Sequence, residues 1–318
     1  MIKVGVLRGG PSSEFEVSLE TGKSVLDNFH SDFEAHDIFI DKNGRWFLDG
    51  LEISPQKASK KFDVFFNCMH GSYGEDGKVQ QLLESYQTPY TGSGPMGSAI
   101  AMNKFLAKRT YVINGLKVPA HESLSVTHDL DSELSKIFKT WLMPVVVKPT
   151  NGGSSLGVSL AGTLLELKIA ASKAFNYSNE IMVEEYIRGK EATCGVLEDF
   201  RGEYLYALFP VEIVKPEKSS FFDYDAKYSG KSEEIVPGRF SREEMTEIQR
   251  MAQLAHSALG LRHYSRSDFI ISSRGVYILE TNTLPGLTKE SLYPKSLEAV
   301  GSNLEEFTGH LVNLALRK

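Results

Sequence analysis

Cysteine is almost missing from this chain of 318 residues: Cys68 and Cys194 are the only two, far apart and without CxxC spacing. That excludes a disulfide framework and a zinc ribbon, and makes a reducing cytoplasm the expected compartment. No apolar run approaches the roughly 18 residues that span a bilayer, and MIKVGVLRGG lacks the apolar core and cleavage site of a secretory signal. The sequon Asn176-Tyr177-Ser178 then has no route to glycosylation. Basic charge is also short. Thirty-five Lys and Arg against 41 Asp and Glu leave a net charge of -6, so neither nucleic acid nor a membrane surface finds a footprint. GxxxxGK[ST] does not occur, which excludes a Walker-type phosphate loop, and no internal repeat is evident.

What is present is a folding composition. Hydrophobic residues at 41 % and charged residues at 24 % exclude disorder, and the length suits two or three small domains. Residues 2–7 read as a strand, Gly9-Gly10-Pro11 as a turn, and Val17, Thr21, Val25 and Phe29 as one face of a helix capped by Ser12 or Ser13. Further strands are expected at 38–40 and 63–67 and a helix at 75–86, which closes a first α/β domain near residue 91. The GxGxxG match Gly92 to Gly97 contains a proline and follows no clear strand, so it reads as a joint between domains. A central domain, 92–183, is expected to hold a helix at 98–114, the strand 144–148, a helix at 164–175 and the strand 181–183. The last domain, 184–318, is expected to contain strands at 192–197 and 204–214, a polar, aromatic lid loop at 215–238, the amphipathic helix 243–259 and a hairpin of strands 267–271 and 276–281.

Three groups of residues suggest chemistry. Lys148 ends a Val-rich strand before Asn151-Gly152-Gly153-Ser154-Ser155-Leu156-Gly157, a loop able to present N–H groups to an anion or to be an ordinary solvated hairpin. Side-chain alternation puts Arg266 with Asp268, and Glu280 with Asn282, on shared faces of the hairpin. Two carboxylates and an amide oxygen around one point suit Mg²⁺; the bland reading is a strand pair with salt bridges to Arg266. His70-Gly71-Ser72-Tyr73-Gly74-Glu75-Asp76-Gly77 is a polar turn at the carboxyl end of a buried strand, where His70 is either a ligand-facing or a structural histidine. Glu14, in the first helical turn, can simply complement the helix dipole.

Taken together these residues resemble the D-alanine-D-alanine ligase family of the ATP-grasp superfamily over nearly the entire chain. The matching stretches, in order, are Gly9-Gly10 with Ser13-Glu14 and Glu16-Val17-Ser18; His70-Gly71 with Gly74 to Gly77; Pro89 to Gly92; Lys148-Pro149 with Gly153 to Gly157; Val183 to Ile187 with Glu191; Asp223-Tyr224 with Ala226-Lys227-Tyr228; Arg266 with Asp268; Glu280 with Asn282 to Gly286; and Ser291-Leu292. The resemblance implies an α/β fold: an N-terminal parallel α/β domain followed by a two-domain ATP-grasp unit with ATP between its halves. Lys104 and Lys148 would meet the phosphates, Ser155 and the glycine loop would cover them, and Lys227 would also bind the ATP. Glu184 and the backbone of Glu185, Tyr186 and Ile187 would read the adenine edge, and Glu191 would hold the ribose. Asp268, Glu280 and Asn282 would ligate two Mg²⁺ or Mn²⁺ ions. Glu14 would bind the ammonium of the first D-alanine, His70 would position it, and Ser291 with Leu292 would receive the carboxylate of the second. Arg266 and the Gly286 N–H would be oxyanion donors, and Tyr228 on the lid would reach Ser154 and through it Glu14. A homodimer formed through the first domain is also implied.

Several positions depart from the family pattern. Phe15 replaces a polar residue, Gln81 a small one, and Ser267 and Thr281 sit where apolar residues normally flank Asp268 and Glu280. Asn103 stands where an acid supports Lys104. None of these removes a charge or a ligand. Because Tyr228 is retained, the dipeptide product is favoured over a D-lactate ester; ligation to another second substrate, such as D-serine, is the alternative.

Overall fold

The computed structural model describes residues 1–126, 129–153, 156–214 and 233–317. Its first sheet is built on β1 (Ile2–Gly9), whose Val4, Val6 and Leu7 are buried on both faces, as expected for a strand covered on two sides. Helix α1 (Phe15–Asp27) leads to β2 (Phe33–Ile40), parallel to β1; β3 (Trp46–Leu48) and β4 (Leu51–Glu52) add an antiparallel edge. After α2 (Pro55–Ser59), β5 (Val64–Asn67) pairs parallel on the other side of β1, and α3 (Lys78–Ser85) follows. Two helix starts fall later than the sequence suggests. Ser12 does not cap α1: its hydroxyl accepts from the Glu14 N–H at 3.0 Å, a local turn that leaves Glu14 at the head of the helix. Likewise α3 waits until Lys78, because Gly77 takes φ +92 and keeps Glu75 on the preceding turn.

The helix expected at 98–114 is two helices, α4 (Pro95–Met102) and α5 (Lys104–Ile113), separated by an extended Asn103. That residue caps α5 by accepting from the Leu106 N–H at 3.0 Å, and its amide donates to Asn151 Oδ1 at 3.1 Å. Next come β6 (His121–Ser125), α6 (Leu130–Thr140), β7 (Val145–Pro149), β8 (Ser159–Ala161), α7 (Leu164–Phe175) and β9 (Glu180–Glu185). They form an antiparallel sheet in the order β6-β9-β7-β8, with α6 and α7 packed on one face.

The third sheet begins with β10 (Lys190–Phe200), β11 (Glu203–Ala207) and β12 (Val211–Val214). The single strand expected at 204–214 is broken by Leu208-Phe209-Pro210. Of the expected lid loop, residues 215–232 lie outside the described residues, and Glu233–Ile235 is not loop but strand β13, paired with β12. Helix α8 (Arg242–Ala258) buries Ile248, Met251, Ala252 and Ala255 against β14 (Tyr264–Ser272) and β15 (Gly275–Asn282). Helices α4 and α5 join α8 on that face through Ala101, Ala107 and Tyr111. The chain ends with α9 (Leu292–Ala299) and α10 (Leu304–Leu316), which return to the first sheet. Phe307, Leu311 and Val312 share a core with Val4, Val6 and Phe66, and Phe307 lies 5.3 Å and 5.4 Å from the rings of Tyr264 and Tyr293. The last helices thereby fasten the first sheet to the third. No helix among the described residues is long and apolar enough to cross a membrane.

Candidate active site

A cavity of about 960 Å³ opens where the three sheets meet, at the large end of the range for small-molecule sites. Every described residue singled out from the sequence lines it: Glu14 and His70 from the first sheet's turns; Lys104 from α5; Lys148, Glu184 and Glu185 from the second sheet; Tyr186 and Ile187 from the connection; Glu191, Arg266, Asp268, Glu280 and Asn282 from the third; and Gly286, Ser291 and Leu292 from the approach to α9. Ser154, Ser155, Lys227 and Tyr228 lie outside the described residues.

The β14–β15 hairpin sets the charged floor. Its register pairs Asp268 with Glu280 and Arg266 with Asn282, and slips by one residue immediately beyond Asp268. Alternation points these four side chains into the cavity and the intervening Ser267 and Thr281 away from it. Asp268 is held at both oxygens. Oδ1 accepts from Thr193 Oγ1 at 2.6 Å and from Arg266 Nε at 3.0 Å, while Oδ2 accepts from Arg266 Nη2 at 3.2 Å and from the Asn282 amide at 3.5 Å. An amide donating through Nδ2 leaves its oxygen as the atom a cation can use. Two carboxylates and one amide oxygen on one face therefore fit a hard divalent cation that keeps waters and shares phosphate oxygens. Among the described residues no group of three or more His, Cys, Asp or Glu side chains is gathered as a ready-made metal cage.

On the opposite wall, Glu184 is buried between two lysines. Lys148 Nζ meets its Oε2 at 2.7 Å; Lys108 Nζ stands 2.8 Å from its Oε1, close but not aligned as a hydrogen bond. Burial alone would push the Glu184 carboxyl up, but the two ammonium groups win and hold it at about 2. Lys104 bridges the walls: its Nζ donates to Gly152 O at 2.6 Å and lies 3.5 Å from Glu280 Oε2. Beside Glu184 the chain leaves β9 through Glu185, whose N–H donates to Ala120 O at 2.8 Å, and reaches Ile187, packed with Ile270, Tyr277 and Leu279. Ile187, Ile270 and Leu279 thereby give the cavity an apolar lining beside polar backbone.

The third wall is tied together by short polar contacts. His70 Nε2 lies 2.8 Å from Thr21 Oγ1, and the His70 backbone N–H donates to Ser18 Oγ at 2.8 Å. Burial lowers the imidazole to about 4, so it is neutral at pH 7. Glu75 accepts from the Gly71 N–H at 2.7 Å and the Leu284 N–H at 3.3 Å; burial, then the nearby Glu14, pushes its carboxyl up. The Glu14 carboxylate is wedged against two glycines. A Cβ on Gly71 would sit 2.8 Å from Glu14 Oε2, and one on Gly153 would sit 3.0 Å from it. Ser291 Oγ accepts from the Thr288 N–H at 3.2 Å, at the head of α9.

Sequence reasoning missed Lys108, Thr193 and Glu75 as site residues. The one signal for Lys108 was its position four residues after Lys104, one helical turn along the same face. Glu75 stood inside the polar turn 70–77 but was given no role there, and Thr193 carried no signal of its own, since cross-strand partners are invisible along the chain.

The sheets, their order and the cavity between the second and third define the ATP-grasp class. A family model described as the D-ala D-ala ligase C-terminus matches residues 113–313, and one described as the D-ala D-ala ligase N-terminus matches 3–58 and 49–93. The D-alanine–D-alanine ligase of Halalkalibacterium halodurans is 40% identical over 324 residues, covering 100% of both chains. That of Syntrophobacter fumaroxidans is 38% identical over 316 residues, covering 99% of this chain and 98% of the relative. Among solved structures, the VanG D-Ala:D-Ser ligase from Enterococcus faecalis superposes with a TM-score of 0.87 at 29% identity, covering 99% of each chain. The D-alanine–D-alanine ligase from Bacillus anthracis gives 0.81 at 29% identity, covering 100% of this chain and 98% of that one. The chain belongs to the D-alanine–D-alanine ligase family.

Proposed function

We propose that this enzyme joins two D-alanines at the expense of ATP, through an acyl phosphate, to supply D-alanyl-D-alanine for peptidoglycan precursors. The observation that carries the reading is one cavity holding the lysines 104 and 148, the hairpin face of Arg266, Asp268, Glu280 and Asn282, and Glu14. In this reading the nucleotide lies between the second and third sheets. Glu184 and the backbone of residues 185–187 meet the adenine edge, Glu191 the ribose, and Lys104, Lys148 and Lys227 the phosphates beneath Ser155. Asp268, Glu280 and Asn282 would hold two Mg²⁺ or Mn²⁺ ions, which would supply positive charge against the crowded phosphate oxygens.

Glu14 takes the ammonium of the first D-alanine, with His70 positioning it. The carboxylate oxygen of that D-alanine accepts the γ-phosphoryl group and ADP departs. The amine of the second D-alanine, whose carboxylate rests at Ser291 and Leu292, attacks the carbonyl carbon. Arg266 and the Gly286 N–H stabilise the oxyanion, which collapses with loss of phosphate as the nitrogen gives up its proton. Tyr228 on the lid joins Ser154 and Glu14, and closure keeps water from the acyl phosphate.

The reading extends to three parts divided near residues 91 and 183, a homodimer through the first part and a cytoplasmic location. A second reading, ligation to another second substrate such as D-serine or D-lactate, is favoured by the likeness to a D-Ala:D-Ser ligase. Phosphate release from ATP and the product formed, measured side by side with D-alanine alone, with D-alanine plus D-serine or D-lactate, with L-alanine and with no added acid, separate the two. D-alanine alone should support turnover, with the dipeptide as product; release that ignores D-alanine would overturn both readings.

A further inference from the structure

Lys108 is a fully buried charged residue that the proposed chemistry does not use. It sits one turn after Lys104 on α5 and does not itself line the cavity. Among the described residues its one ion-pair partner is Glu184, and Glu184 does line the cavity. A fully buried ammonium is costly unless it serves a partner, and Lys148 already neutralises the other oxygen at 2.7 Å. The second cation is therefore surplus to charge balance. Its effect is on what Glu184 can be: with lysines at both oxygens the carboxyl stays ionised inside a dry wall, an acceptor only, and fixed in orientation.

We infer that Lys108 is a positioning residue for base selection: from behind the wall it keeps Glu184 an ionised, oriented acceptor, so that the cavity takes a 6-amino purine nucleotide and rejects a 6-oxo one. The inference deepens the proposed function and rests on its reading that Glu184 meets the adenine edge. A 6-amino group donates to a carboxylate, whereas a 6-oxo group turns a lone pair toward it. A carboxyl free to take a proton could donate to that oxo group and lose the distinction. A site built on a buried polar partner discriminates strongly against a ligand that leaves the partner unpaired.

The test measures kcat/KM for ATP and for inosine triphosphate, which carries oxygen at that position, in the full-length enzyme. Lys108→Met is expected to narrow the ATP preference by about tenfold or more, through the nucleotide KM, with the D-alanine KM unchanged. Lys108→Gln should fall between it and the unaltered enzyme. Adding Lys108→Met to Glu184→Gln should change the ratio no further, because the lysine acts through the carboxylate. An unaltered enzyme that does not discriminate would remove the adenine reading itself. Discrimination lost in Glu184→Gln but kept in both Lys108 variants would overturn the Lys108 inference and leave that reading standing. Failure of both Lys108 variants to melt cooperatively would assign the pair to stability and overturn it as well.

Discussion

Asp268 and Glu280 occupy opposed positions of the β14–β15 ladder, at the last regular pair before the register slips. The bulge turns the following residues away, so the carboxylates face the cavity while Phe269 and Ile278 return to the apolar layer behind. Orientation of the aspartate does not depend on the ladder alone. Thr193, opposite it on β10, donates a 2.6 Å hydrogen bond to Oδ1.

Thr193→Val keeps the shape of the side chain and removes that donor. A hydrogen bond to a charged group contributes about 1.5–3 kcal/mol, and a carboxylate released by part of that amount binds a cation less well. The variant is expected to need roughly tenfold more Mg²⁺ for half-maximal phosphate release, with turnover recovered at saturating metal. A magnesium titration of both enzymes checks it; identical activation curves would detach Thr193 from the metal face.

Arg266→Lys tests the oxyanion role while retaining charge beside Asp268. A lysine cannot reproduce the two-pronged contact at 3.0 and 3.2 Å, nor aim a second donor into the cavity. D-alanine-dependent phosphate release should fall about 100-fold or more, while the melting temperature moves little. Turnover within a few-fold of the unaltered enzyme would place the oxyanion elsewhere.

Behind the same hairpin, the two departures from the family pattern are explained by a third residue. Tyr111 of α5 donates to Thr281 Oγ1 at 2.7 Å, and Ser267 Oγ lies 2.8 Å from that oxygen. All three side chains are buried. Thr281→Val should therefore lower stability by about 1–3 kcal/mol, since it strands two hydroxyls. The triple variant Tyr111→Phe, Thr281→Val, Ser267→Ala should recover part of that loss, because no orphaned group remains. Urea unfolding of the set decides it, and strictly additive losses would argue against a shared network.

The face shared by Arg266, Asp268, Glu280 and Asn282 was legible because strand alternation is short-range: reading 266/268 and 280/282 as shared faces needed only a period of two and a turn at Ser273-Arg274. The strands β1, β5, β7, β14 and β15, the α7 boundaries and the amphipathic face of α8 followed from the same kind of local signal. The losses were of another sort. Asn103 breaks a helix that propensity would continue, because it finds a partner in Asn151, 48 residues away. Glu75 hydrogen-bonds Leu284 across 209 residues. That α10 closes the first sheet was equally hidden, since its apolar stripe would suit any core. Patterning marks which face is buried and leaves the partner unstated.

Acid should weaken the fold through His263. Its Nδ1 accepts from the Gly92 N–H at 3.0 Å, and burial lowers its pKa from 6.5 to about 4. The unfolded chain binds the proton first, so the stabilisation is complete above pH 6.5 and is lost as pH falls toward 4. A shift of that size corresponds to roughly 3 kcal/mol. His263→Gln keeps an acceptor for Gly92 and cannot titrate. The melting-temperature advantage of the unaltered protein over this variant should shrink between pH 7 and pH 4.5, and a constant difference would remove His263 from the acid response.

Gly153 offers the sharpest probe of the first substrate subsite, because its Cα faces the Glu14 carboxylate and no positive φ complicates the substitution. An alanine there places a methyl group 3.0 Å from Glu14 Oε2, closer than ordinary van der Waals contact. Either the carboxylate or the glycine loop has to yield. If Glu14 holds the ammonium of the first D-alanine, Gly153→Ala should raise the D-alanine KM about tenfold, the cost of weakening one charged contact by roughly 1.4 kcal/mol, and change the ATP KM far less. The reverse pattern would mean that the loop serves the phosphates alone and that its contact with Glu14 does not bear on the substrate. Steady-state kinetics with each substrate varied in turn distinguishes the two.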